Sequence, residues 1–219
     1  MSTIFKKRYT KSRSKPKKKL LTVSAYKADK RRSTELKYFA TEQALIGVNN
    51  VGNLFSLDQI PQGDGSNQRQ GNVLNEKYVV IRGVLESDKA DQYNYVRMML
   101  VSCKTLNAND VAIGDFIETT ATGTLAPFGI WTSKKKNFHI HYDKLHYLGG
   151  KNQGTILLND AQRQKLFQIR VKLHKNIVYQ DGTTAMPTKN GLMLAVVTDS
   201  SAGTHPKIAF ISQLSFTDA

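Results

Sequence analysis

Apolar residues recur with a period of two along much of the chain beyond residue 50. The clearest case is Gln168–His174, in which Ile169, Val171 and Leu173 alternate with polar residues. This alternation is typical of a β-strand that buries one face, because successive side chains of a strand point to opposite sides. Five further stretches are similarly rich in β-forming residues: Tyr78–Leu85, Asn94–Val101, Phe138–Tyr142, Leu192–Thr198 and Ile208–Phe216.

Turn-forming residues separate these runs, and most of the separations exceed a two-residue hairpin loop. Gly, Asn and Asp concentrate in five places: 62–67, 107–110, 149–150, 181–182 and 190–191. Longer connections can cross between two sheets, as Greek-key topologies require. The pattern therefore predicts an all-β antiparallel sandwich, and it favours a jelly roll over a simple meander.

Two stretches allow a helical interpretation. Ser33–Leu45 can be read as a helix through Leu36, Phe39 and Ala40. Asn159–Leu166 can form a short helix with Asn159 as its N-cap.

Charge divides the chain into two parts. Of the net charge of +15, residues 1–32 contribute +12, from 13 Lys or Arg and one acid, Asp29. The remaining residues hold 19 basic and 16 acidic side chains, which leaves +3. This asymmetry predicts a basic arm over residues 1–32, followed by a nearly neutral globular domain over residues 33–219.

Dense like charge and few apolar residues predict that the arm is disordered when free, and that it binds phosphates without reading base sequence. Its predicted nucleic-acid-binding residues are Lys6, Lys7, Arg8, Lys11, Arg13, Lys15, Lys17, Lys18, Lys19, Lys30, Arg31 and Arg32. A solubility or targeting tail is the alternative, and Lys15–Lys19 has the composition of a nuclear localisation signal. The single cysteine, Cys103, excludes an internal disulfide. No apolar run is long enough for a membrane helix, and no apolar segment of a secretory signal follows the first basic residues.

The segment 60–71 has the form I-x-Q-G-x-x-x-x-x-R-x-G and precedes a β-rich run that contains Ile81-Arg82-Gly83. This arrangement resembles the coat protein of satellite tobacco necrosis virus. It is also similar to the capsid proteins of small, circular, Rep-encoding single-stranded DNA viruses. The likeness covers roughly residues 35–219, through Leu36–Ala40, Tyr93–Lys104, Val178–Gly182, Leu192–Asp199 and Leu214–Ala219.

The resemblance implies a single eight-stranded jelly roll, in which Leu36–Ala40 is a strand and not part of a helix. It implies self-assembly of about sixty copies into a T=1 icosahedral shell, with the arms directed inward to a single-stranded genome. The protein would then be located in the virion. The nuclear-signal-like cluster favours DNA, assembly in the host nucleus and contact with nuclear import receptors. No membrane partner is expected.

The motif has physical consequences of its own. Gly63 and Gly65 permit a tight backbone, including positive φ. Arg69 can donate several hydrogen bonds to carbonyl or carboxylate groups of a neighbouring segment. The expectation is a structural loop that fixes the entry to a strand and packs at a subunit contact. Its residues are Ile60, Gln62, Gly63, Arg69 and Gly71.

Other residue groups have weaker claims to function. Arg170, Lys172 and His174 form a basic stripe that could line the interior of a shell, although a solvated face explains it equally well. His139, His141 and Asp143 could hold a metal, but an exposed polar strand face is the favoured interpretation, and no metal site is assigned.

Trp131 precedes a predicted loop of three lysines, residues 134–136, and its ring could stack on a base or lie partly buried. Scattered aspartates allow Ca²⁺ at subunit interfaces without assigning a residue. No cofactor is expected. No phosphate loop, zinc-protease motif or nucleophile elbow is present, so nothing in the sequence indicates an enzyme. A cellular RNA- or DNA-binding protein with a basic tail on a β-barrel is the alternative function.

Overall fold

The computed structural model describes residues 35–87, 94–104, 111–115, 117–118, 127–132, 136–149, 164–180, 185–201 and 206–219. The basic arm lies outside these residues. Nine strands are described: β1 Lys37–Gly47, β2 Asn53–Ser56, β3 Val73–Glu86, β4 Asn94–Cys103, β5 Phe138–Leu148, β6 Gln164–Tyr179, β7 Pro187–Lys189, β8 Gly191–Thr198 and β9 Lys207–Asp218. No helix among the described residues is long and apolar enough to span a membrane.

The strands form two antiparallel sheets, in the orders β1-β9-β3-β6-β7 and β2-β8-β4-β5. Without the short β7, each sheet has four strands. The chain passes from one sheet to the other at every connection between these eight strands except β4–β5. This order is that of a jelly roll. The predicted all-β, eight-stranded jelly roll is therefore confirmed, with the three-residue β7 as an addition at one edge.

Both helical interpretations are wrong where the structure describes the residues. Lys37–Gly47 is a strand paired with β9, so the strand implied by the family resemblance is confirmed. Gln164–Leu166 belongs to β6, whereas residues 159–163 lie outside the described residues. The apolar spacing misleads because Leu36 lies before β1 and Ala40 is exposed on it, so neither shares a buried face with Phe39.

Two apolar clusters stabilise the sandwich. The larger one lies between the sheets and includes Ile81, Met98, Ile169 and Phe216. The second covers the outer face of the four-stranded sheet, where Ile113 and Ile117 pack over side chains of β4 and β8. All eight residues of β8 are buried as a result, which explains why its sequence is continuously apolar and not alternating.

Candidate nucleic-acid interface

The basic stripe on β6 faces outward. Arg170, Lys172 and His174 are exposed, whereas Ile169 and Leu173, on the opposite face of the strand, are buried. The predicted strand Gln168–His174 thus has the expected amphipathic form, although β6 is longer than predicted at both ends. His174 has a φ of 48°, and it lies where the pairing of β3 with β6 shifts register between Glu76 and Tyr78. The stripe therefore bends at His174.

Rows of side chains cross the outer face of the five-stranded sheet from β1 to β6. One row, called here the tyrosine row, consists of Tyr38, Ser215, Tyr78 and Lys172, in register on β1, β9, β3 and β6. The adjacent row on the same face consists of Ala40, Gln213, Val80 and Arg170. The sheet thus places two tyrosines beside the predicted basic stripe. Sequence reasoning missed them, because the face on which each tyrosine lies depends on strand register.

The guanidinium of Arg170 lies 5.8 Å from the centroid of the Tyr78 ring, within cation–π distance. Tyr38 remains 41% exposed. The first described residue is Glu35, and β1 begins at Lys37 in this same sheet. Residues 1–32 therefore precede, by a few residues, the sheet that carries the exposed basic stripe.

The loop 60–71 is organised around Arg69, which is completely buried. Its Nε donates a hydrogen bond to the Ile60 carbonyl at 3.2 Å. Its Nη1 donates to the Gly71 carbonyl and to Asn72 Oδ1, each at 2.9 Å. The guanidinium also lies 4.4 Å from the centroid of the Tyr179 ring. Arg69 thus ties the two ends of the loop to each other and to β6.

This burial bears on the predicted subunit contact. Ile60 and Arg69 are both 0% exposed within the single chain, so neither can reach a neighbouring copy. Gln62 is exposed and forms an isolated β-bridge with Arg69, and Gly63 and Gly71 are partly exposed. Within the motif, only these last three residues remain available for a contact between subunits, which stays a prediction.

The glycines of the loop act differently from the expectation. Neither Gly63 nor Gly65 is among the glycines with positive φ in the described residues, so the positive-φ interpretation is wrong. A Cβ on Gly63 would lie 2.2 Å from Gln68 Oε1. That oxygen accepts a hydrogen bond from the Gly65 amide at 2.9 Å. A Cβ at position 63 would displace the Gln68 amide group, so glycine leaves room for the hydrogen bond between Gln68 and the Gly65 amide.

A cluster of charged residues lies inside the sandwich and was not predicted. Asp58 and Glu76 are each 0% exposed. Burial raises the pKa of Asp58 to about 6, and it raises the pKa of Glu76 to about 8. Asp58 Oδ2 accepts a hydrogen bond from the Leu192 amide at 2.5 Å, so this carboxylate joins the segment after β2 to β8.

Lys175 connects Glu76 to a hydrogen-bonded pair on the facing sheet. Its Nζ lies 3.3 Å from Glu76 Oε2 and donates to the Asn190 carbonyl at 2.6 Å. It also donates to Ser102 Oγ, which lies 2.6 Å from His141 Nε2. Burial, followed by the positive charge of Lys175, lowers the pKa of His141 to about 3. His141 is therefore neutral at physiological pH, and its Nε2 can accept a hydrogen bond from the Ser102 hydroxyl.

The Ser102–His141 pair has the composition of a nucleophile and its base, but its position indicates a structural role. Ser102 is 1% exposed, so a substrate cannot reach its hydroxyl in this structure. The pair and Lys175 instead form a hydrogen-bonded chain that joins β4 and β5 to β6. Because buried polar groups are expensive unless paired, this chain fixes how the two sheets face each other.

The structure separates the three residues that were considered, and not favoured, as metal ligands. The pairing of β4 with β5 shifts register between Leu100 and Val101. His139 and His141 remain together, with ring centroids 4.5 Å apart. Asp143 instead forms a two-point ion pair with Arg97, at 2.8 Å and 2.7 Å. No group of three potential metal ligands is found in the described part of the chain.

Trp131 is partly buried against the second apolar cluster. The guanidinium of Arg97 lies 5.2 Å from its ring centroid. One face of the indole is thus used within the chain, as the partly buried interpretation expects. Residues 133–135, with two of the three lysines that follow Trp131, lie outside the described residues.

Comparison with known proteins assigns no family to this chain. No protein-family model matches the sequence, and no curated protein is similar to it. Among solved structures, a chain of Desmodium yellow mottle tymovirus aligns with a TM-score of 0.38 and 10% identity, over 100% of this chain and 95% of that chain. Chains at this TM-score share too little geometry to assign a function. The jelly roll is assigned here from strand order alone.

Proposed function

We propose that this chain is a viral capsid protein that self-assembles into a small T=1 icosahedral shell. In this proposal the basic N-terminal arm packages a single-stranded genome, with DNA favoured. The observation that carries the proposal is the jelly-roll strand order, combined with a strongly basic segment that leads directly into one of its sheets. Because a jelly roll also serves lectins and cupins, the charge distribution is what favours a capsid.

The five-stranded sheet is the one that would face the interior of the shell. The arm leads into β1, and the exposed stripe Arg170, Lys172 and His174 belongs to the same sheet. With this sheet turned inward, the arm and the stripe would meet the same polyanion. The opposite sheet would then face outward, carrying the second apolar cluster and its covering segment.

The arm charge fits the size of a small genome. Roughly sixty arms, each with a net charge of +12, would bring about 720 positive charges inside the shell. At about one phosphate per charge, the arms balance on the order of a thousand nucleotides. The genome would in turn neutralise the mutual repulsion of the arms, so that packaging and assembly favour each other.

Nuclear assembly belongs to the proposal as well. Lys15–Lys19 has the composition that nuclear import receptors recognise. Import into the nucleus would bring the protein to a single-stranded DNA genome there, and DNA is therefore favoured over RNA.

The test uses full-length protein with and without circular single-stranded DNA, followed by size-exclusion chromatography and negative-stain microscopy. Uniform round particles, with nucleic acid protected from nuclease, are the expected result. A variant lacking residues 1–32 should still fold, judged by circular dichroism, but should package no nucleic acid. A monomer at high concentration, with DNA supplied, would contradict the capsid proposal and favour a cellular nucleic-acid-binding protein.

A further inference from the structure

The tyrosine row combines two aromatic side chains on an open sheet face. Tyr38 and Tyr78 lie on β1 and β3, and Ser215 of β9 lies between them in register. A hydrogen bond between the two tyrosine hydroxyls raises the pKa of Tyr38 above its ordinary value. The two phenol groups therefore meet above the short side chain of Ser215. This contact joins them into a single aromatic surface across three strands.

Positive charge borders this aromatic surface on one side. Lys172 ends the tyrosine row, and Arg170 ends the adjacent row, with its guanidinium 5.8 Å from the Tyr78 ring centroid. Neither row contains an acidic residue. A ligand that crosses the sheet from β1 toward β6 would meet the aromatic rings first and the cations next.

We propose that the tyrosine row is a base-stacking site for single-stranded nucleic acid. Tyr38 and Tyr78 stack on nucleobases, and Arg170 and Lys172 hold the phosphates that adjoin those bases. Exposed aromatics on a sheet are suited to this task, because unpaired bases offer free faces and stacking tolerates any sequence. The inference rests on the proposed function for the identity of the polymer, which is the packaged genome.

The site would differ from the arm in what it recognises. Phosphate binding by Lys and Arg depends on charge alone, so an oligonucleotide without bases satisfies it equally well. Stacking requires the base, and each stacked base adds affinity of about 1–3 kcal/mol, which is about 5- to 150-fold. A preference for bases at equal phosphate number is therefore the signature of the tyrosine row.

The experiment compares two fluorescent ten-residue oligonucleotides by anisotropy with full-length protein over a series of salt concentrations. One is oligo-dT, and the other has an abasic residue at every position. Wild-type protein should bind oligo-dT at least fivefold more tightly. The double variant Tyr38→Ile, Tyr78→Ile should bind both equally, with an affinity for the abasic strand within about twofold of wild type.

Two further variants serve as controls. Tyr38→Phe with Tyr78→Phe keeps both rings and should keep the preference for bases. Tyr147→Ile removes a tyrosine of similar exposure, 46%, on β5 of the other sheet, and it should change nothing. Circular dichroism spectra equal to that of wild type establish that each variant is folded.

Equal affinity of wild-type protein for the two oligonucleotides overturns the base-stacking site. So does a preference that survives in the Tyr38→Ile, Tyr78→Ile variant. Microscopy of the same preparations separates this inference from the capsid proposal. Shells without base preference contradict the stacking site alone, whereas base preference without shells contradicts the capsid proposal and leaves the site intact.

Discussion

The Lys175 ammonium lies beside the Glu76 carboxyl group inside the sandwich, with Nζ 3.3 Å from Oε2 and the Glu76 side chain completely buried. Removing one partner of a buried pair usually destabilises a protein far more than breaking a surface pair. Here the lysine also reaches the facing sheet through Ser102. The stability of the jelly roll is therefore coupled to the protonation of its interior, and the first two predictions follow from this coupling.

Stability should fall as pH rises from about 6.5 to about 9. Burial raises the pKa of Glu76 from 4.5 to about 8, so the folded state keeps a proton that the unfolded state releases. Between these two values the unfolded state binds fewer protons, and the free energy of unfolding decreases with pH. Thermal melts across this range should show the decline in wild-type protein. In Glu76→Gln the decline should be weaker, and an equal slope in both proteins would contradict the prediction.

His141 should contribute the opposite pH dependence: its contribution to stability should be lost as pH drops below about 6.5, against the gain from Glu76. Burial lowers the pKa of His141 from 6.5 to about 3, so the folded state holds the neutral imidazole. The stabilisation is complete above the unfolded pKa and is lost as pH falls toward the folded value. His141→Gln, measured by urea denaturation between pH 7 and pH 4, should lose less stability over this range than wild type. His174, which is exposed, provides the control position.

Replacing Arg69 by lysine should cost about 2–4 kcal/mol, because one ammonium group cannot satisfy acceptors on three residues arranged for a guanidinium. The same conservative change at Arg82, which is exposed on β3, should change the free energy of unfolding by less than about 0.5 kcal/mol. Chemical denaturation of the two variants measures the difference. Similar values for Arg69→Lys and Arg82→Lys would mean that the loop does not depend on Arg69.

Gly83→Ala should destabilise the sandwich by about 1–3 kcal/mol or more through overpacking. The added Cβ would lie 2.2 Å from the backbone oxygen of Ala209 and 2.7 Å from Phe210 Cβ, so β9 would have to move. Gly71→Ala is the matched control, because a Cβ there meets no atom within 4 Å. Melting temperatures of the two variants should differ by several degrees, and the control should remain close to wild type.

Replacing Arg170 and Lys172 together by alanine should reduce the salt dependence of binding to single-stranded DNA. The loss of two phosphate contacts lowers the slope of log Kd against log salt by about 1.4. A double alanine variant at Lys136 and Lys144, which are exposed next to and on β5, removes equal charge from the other sheet. This control should keep the wild-type slope. Equal slopes for both double variants would show that total charge, not the stripe, determines binding.

The strands of the jelly roll were largely predictable because burial of one face leaves a period of two in the sequence. Six predicted runs correspond to β3, β4, β5, β6, β8 and β9. The strands β2 and β7 were missed because four and three residues are too few to show a period. In β1, only the family resemblance gave the correct element.

The candidate sites were less predictable, because contacts across a sheet depend on register. One shift in the β4–β5 pairing separates Asp143 from His139 and His141, and period-two reasoning cannot detect it. The interior charges come together from three separate parts of the sequence, near Asp58, Glu76 and Lys175. Each of these residues looks, in sequence alone, like an ordinary surface residue.

The coverage of β8 on both faces also determines how the molecule opens. Local fluctuations expose amides where few buried contacts must be broken. For β8, opening would have to expose side chains of the inter-sheet cluster and of the outer cluster at once. Its backbone amides should therefore exchange with deuterium only through global unfolding, which makes β8 the slowest-exchanging strand and a direct gauge of the stability of the whole domain.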